Sequence, residues 1–211
     1  MALCCYRRSP MRTAPEALAR RVLAAEDGAE ALALVAAEDP VLALECAIAL
    51  ARHTAAVVPP RPQSFVNHEA ERRWADDGTR VTAALEWSAM RVTTMRRTDR
   101  VVVDETCMHL TADCEALHDE IADAADAFDY DLGCGTVHTI LTLLEAIRGD
   151  APVDRVAHAA ARVLRTPDEP TEATSIHPAA VKAAHDRKLR HRMRAMRPLL
   201  AGWVLNPRGE G

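Results

Sequence analysis

Aromatic residues make up only 3% of the 211-residue chain, with two Phe, two Tyr and three Trp. A core of this size must therefore be filled by Ala, Leu, Val, Ile and Met, side chains that suit close helix packing. Lysine is scarce as well: among 26 basic residues only Lys182 and Lys188 are lysines. With the abundance of alanine this points to a GC-rich coding sequence, bacterial or from a phage of such a host. No stretch approaches the roughly 18 uninterrupted apolar residues of a membrane span, and the opening "MALCCYRRSPMR" has no apolar run of signal-peptide length. A cytoplasmic protein is expected. The six cysteines (Cys4, Cys5, Cys46, Cys107, Cys114 and Cys134) are too scattered for a disulfide scaffold, so reduced thiols are expected. Neither period-two alternation nor a hairpin turn signal occurs, which excludes a sheet and leaves an all-α fold, a bundle of about seven to nine helices. A glycine-rich phosphate loop, a nucleophile elbow and a cysteine-protease signature are also missing. Binding rather than catalysis is expected, with no cofactor.

What is present is helix punctuation. Thr13 and Glu16 stand in capping-box spacing around Pro15, and Gly28 separates the first helix from a second over 29–38. Asp39 and Pro40 supply an N-cap and a first-turn proline for a third helix reaching Val57. Residues 58–64, with Pro59, Pro60 and Pro62, read as a stiff linker. They divide the chain into an N-terminal helical subunit, 1–57, and a main helical bundle, 65–211, with a basic C-terminal helix and tail. Further helices are expected over 65–76, 79–98 after Gly78, and 101–128, followed by a turn at "DYDLGCG" (129–135). The apolar spacing of Val137, Ile140, Leu141, Leu144 and Ile147 predicts a helix ending near Gly149, and Asp150 with Pro152 should start the next. "TPDEPTEATSIHP" is a surface loop. Pro178 opens a last helix that should stop before Pro198, leaving a tail anchored by Trp203. The stretch "LALVAAEDPVLALECAIALAR" (32–52) resembles a single HEAT-type repeat; no second copy follows at the period a solenoid requires.

Two constellations carry the candidate chemistry. On a helical wheel Leu110, Cys114, Leu117, Ile121, Ala124 and Phe128 share one face, while Glu115, Asp119, Asp123 and Asp126 lie opposite, as on a helix with one solvated side. His118 stands at the boundary, four residues from Cys114, so Cys114, Glu115, His118 and Asp119 form the candidate metal group. Cys134 and His138 repeat the spacing. With a turn near Leu132, however, the two histidines would stand about 10 Å apart along a hairpin, too far for one ion. "EALH" is similar to the E-x-x-H element of ferritin-like di-iron proteins, but no second copy exists. The His118-Asp119 pair resembles the dyad of HD-type phosphohydrolases, which would imply a metal-dependent enzyme centred on His118. The Glu120-x-x-Asp123 spacing resembles that of all-α nucleotide pyrophosphatases, without their preceding E-x-x-E.

The second constellation is "HDRKLRHRMRAMR". Here Arg187, Arg190, Arg194 and Arg197 form one stripe and Leu189, Met193 and Met196 another, a basic amphipathic helix suited to an acidic partner or to phosphates. Arg91, Arg96, Arg97 and Arg100 could widen it. The net charge of −5 argues against a protein that coats nucleic acid with its whole surface. A protein partner or self-association is therefore expected, with the acidic 115–126 face as one complement of the arginine stripe. Nucleic acid bound by the last helix is the alternative.

Overall fold

Two aspartates set the helix entries of the N-terminal third. The computed structural model describes residues 13–55, 68–98, 109, 111–112, 115–116, 127–170 and 177–207. Helix α1 (Pro15–Ala24) ends at a short bend, and α2 (Gly28–Glu38) begins on Asp27, whose carboxylate accepts from the amides of Ala29 at 2.9 Å and Glu30 at 3.1 Å. Asp39 does the same for α3 (Pro40–Ala55), accepting from Val41 at 3.1 Å and Leu42 at 3.0 Å. Each carboxylate satisfies two of the amides that a helix start leaves without partners. Thr13, by contrast, makes no capping box. Its hydroxyl donates to Glu38 at 2.7 Å, and Arg21 pairs with the same carboxylate, so the start of α1 is tied to the end of α2. These two hydrogen bonds, Arg21's first, hold the Glu38 carboxyl below its ordinary value.

Four longer-range expectations are corrected. Gly78 interrupts nothing: α4 runs unbroken over His68–Thr98, because an interior glycine costs only about 1 kcal/mol of helix propensity. The turn expected at 129–135 is helix as well, since α5 spans Ala127–Arg148. Gly135 lies where α5 meets the chain after α6, and a Cβ there would come within 2.3 Å of Val163 Cγ1. The helix does end at Gly149, which has the left-handed φ of +83°. The next helix, α6 (Arg155–Ala161), starts later than Asp150, after turns closed by the carbonyls of Pro152, Val153 and Asp154. Finally, α7 covers Pro178–Leu205 and passes straight through Pro198. Proline cannot donate to the Arg194 carbonyl; the neighbouring Arg197 Nε donates to that oxygen instead, at 3.2 Å.

The described chain is thus all α, with seven helices and no strand. Helical backbone also occurs at 109, 111–112 and 115–116. The linker 58–64 and most of the helix expected over 101–128 lie outside the described residues. Two apolar clusters are built on opposite faces of α3. Leu50 and Cys46 join α1, α2, α6 and α7 through Val22, Leu32, Leu164 and Met196. Leu44 and Ile48 join α4 and α5 through Trp87, Met95, Ile140 and Leu144. Burial pushes the Cys46 thiol up to about 12, with the Glu45 charge adding to the effect. The Arg96 guanidinium of α4 grips the Glu45 carboxylate of α3. No helix among the described residues is long and apolar enough to cross a membrane.

Candidate interaction surface

Helix α7 is fixed along one side and open along another. Met193, Met196, Leu200, Ala201 and Val204 are buried, a row produced by the 3.6-residue period. Arg192 flanks this row. Its Nε and Nη2 donate to the two Glu169 oxygens at 2.7 and 3.1 Å, and its Nη1 donates to the carbonyls of Ala161 at 3.3 Å and Arg162 at 2.7 Å. The bidentate pair fastens the loop after α6 to α7, while the carbonyl bonds satisfy acceptors left at the end of α6. Lys188 Nζ stands 3.2 Å from the same carboxylate. Partial burial opposes ionisation of Glu169, but the hydrogen bonds and charges of Arg192 and Lys188 outweigh it and hold the carboxyl at about 2.

The four arginines of the predicted stripe divide into two kinds. Arg197 is half-buried and engaged: besides the Arg194 carbonyl, its Nη1 reaches Ala25 O at 2.6 Å and Leu23 O at 3.3 Å, closing the end of α1. Arg187, Arg190 and Arg194 are exposed. Their guanidinium groups make no hydrogen bond or ion pair among the described residues. The outer two stand seven positions apart, about 10 Å along the helix. On a helix anchored from behind they offer fixed, planar donors suited to carboxylate or phosphate oxygens.

The second basic cluster does not widen this row as a set of free cations. Arg96 is paired with Glu45, and the Arg91 guanidinium lies 5.5 Å from the Trp87 ring centroid. The side chain of Arg97 and all of Arg100 lie outside the described residues, as do Cys114, His118 and Asp119. Glu115, the remaining member of the candidate metal group, is exposed. Among the described residues no three His, Cys, Asp or Glu side chains are gathered to hold a metal ion. Helix α5 runs unbroken through 129–135, so the turn expected near Leu132 is absent there.

Sequence reasoning missed Arg192 and Glu169. The available signal was the position of Arg192, close beside the apolar row of α7, where an arginine needs acceptors inside the fold. Comparison of the chain with protein-family models, with curated proteins and with solved structures returns no match.

Proposed function

We propose that this chain is a helical interaction protein that acts by binding, with Arg187, Arg190 and Arg194 as its contact row for an acidic protein surface, in the cytoplasm of a bacterium or of a phage-infected one. The observation that carries the reading is three exposed guanidinium groups without a partner among the described residues, on a helix whose apolar side is held in the core. Because Arg192, Lys188 and Arg197 already fix α7 against α6 and α1, its backbone needs no ordering on association, which removes one of the usual costs of binding. Guanidinium groups pair with carboxylates in a bidentate geometry that also selects orientation. The cytoplasmic assignment rests on the scattered cysteines and on Cys46, a buried thiol in the core.

Nucleic acid would draw on the same row, but three guanidinium groups over about 10 Å on a chain of net charge −5 favour a protein partner. The discriminating experiment titrates a fluorescent Glu-rich helical peptide and a mixed-sequence DNA duplex against the full chain and its Arg187→Glu/Arg190→Glu/Arg194→Glu variant. Peptide binding that falls at least tenfold in the variant is expected. Tighter binding of DNA than of peptide, weakening steeply with salt, would transfer the row to nucleic acid; binding of neither would remove the interaction reading.

A further inference from the structure

The corner between α1 and α2 lies against the arginine row of α7. Arg197 Nη1 donates to the carbonyls of Leu23 at 3.3 Å and Ala25 at 2.6 Å, and a Cβ on Gly28 would stand 3.1 Å from the Met193 carbonyl. Residues 23–28 are thus held on the turn of α7 that carries Arg194, with Arg190 one turn earlier. Two carboxylates occupy this corner. Glu26 is exposed between the two contacts, and Glu30, also exposed, turns back so that its carboxylate accepts from the Glu26 amide. Neither makes an ion pair among the described residues, and neither do Arg190 and Arg194. Leu23 opens the same corner and is 48% exposed. One face therefore carries cations, carboxylates and an apolar side chain, with its charges unpaired among the described residues.

On the interaction reading above, we infer that the acidic partner of the arginine row is a second copy of this chain, with Arg190 and Arg194 of each copy docking on Glu26 and Glu30 of the other around the two Leu23 side chains. A two-fold contact sets a patch against itself, so the patch must hold both halves of the complement. This corner holds both. The charge contact is used twice and closes the assembly at a dimer. Burial of Leu23 adds to it, while the opposed charges fix the register and steer the encounter. Both halves belong to backbone already fastened together through Arg197 and Gly28, so neither must be ordered on docking.

Sedimentation velocity of the full chain at about 50 and 500 mM NaCl tests this. The expected result is a dimer of the 23.0 kDa chain at low salt that shifts to single subunits at high salt. Arg190→Glu/Arg194→Glu and Glu26→Lys/Glu30→Lys should each be a single subunit alone, and should form a mixed dimer when combined. All four substitutions in one chain should restore the dimer, which also shows that the exchanged side chains leave the fold intact. Leu23→Ser should raise the dimer dissociation constant about fivefold. Single subunits of the unaltered chain in both salts, or a dimer indifferent to either pair of substitutions, would overturn the inference. So would loss of the dimer in both variants with no recovery in the mixture or in the fourfold variant, since the two charge sets would then not face each other. An unaltered chain that stays a single subunit yet binds the Glu-rich peptide through the arginine row rejects the second copy and leaves the interaction reading standing. Single subunits that bind no peptide reject both.

Discussion

At the scale of single residues, the glycines separate space from conformation. Gly28 opens α2 against α7: a Cβ there would stand 2.9 Å from both Met196 Cβ and Sδ and 3.1 Å from the Met193 carbonyl. Gly28→Ala should therefore destabilise by about 1–3 kcal/mol through overpacking. Gly202 lies in α7 with nothing within 4 Å of its added Cβ, so Gly202→Ala should stabilise by about 0.5–1 kcal/mol through helix propensity. Urea denaturation of the two variants should thus shift midpoints in opposite directions, and equal shifts would contradict the close approach at Gly28. Glu169 gives a pH signature. Its carboxyl lies at about 2 in the folded chain against an ordinary 4.5, so its contribution is fully present above pH 4.5 and is lost as the pH falls toward 2. Glu169→Gln should lower the melting temperature at neutral pH and flatten its dependence over that acidic window. A variant whose profile parallels that of the unaltered chain would show that the ion pair with Arg192 does not drive the shift.

At the scale of elements, Arg197 substitutes for what the backbone lacks in two helices. It donates to the Arg194 carbonyl orphaned by Pro198, and to the carbonyls that α1 leaves at its end. Arg197→Ala should cost about 1.5–3 kcal/mol, the range for hydrogen bonds to charged groups, whereas Arg190→Ala should stay within about 0.5 kcal/mol, as an exposed residue without a partner among the described residues should. Chemical denaturation decides between them, and equal losses would reject the structural role of Arg197. The same residue marks the boundary of what sequence reveals. The Asp39 cap is legible in the sequence because a cap and its amides lie within three residues of each other. The exposure of Arg187, Arg190 and Arg194 follows from the helical period that buries Met193 and Met196. Arg197 shares that stripe, yet its acceptor Ala25 lies 172 residues away, and no local pattern announces such a contact. Gly78 and the segment 129–135 misled for a related reason. The cost of a glycine is local and small, and packing such as Gly135 against Val163 outweighs it.

At the scale of the whole molecule, α3 makes one body of two cores. Leu50 and Cys46 face the cluster shared by α1, α2, α6 and α7, and Leu44 and Ile48 face the cluster shared by α4 and α5. Val153 packs against both. Neither cluster can lose its contacts with α3 without exposing apolar surface that the other needs held in place, so the two should unfold in one transition. Tryptophan provides separate reporters: Trp87 is buried in the second cluster, while Trp203 packs against the first and meets the His53 ring of α3 edge-on, with centroids 6.3 Å apart. With Trp74 replaced by Phe, a chain retaining only Trp87 and a chain retaining only Trp203 should give coincident thermal and urea transitions. Leu144→Ala in the second cluster should lower both reporters' midpoints together, by about 2–5 kcal/mol of stability, although Trp203 stands in the other core. If the Trp203 transition instead held its position while that of Trp87 moved, α3 would not couple the two cores, and each would be a separate folding unit.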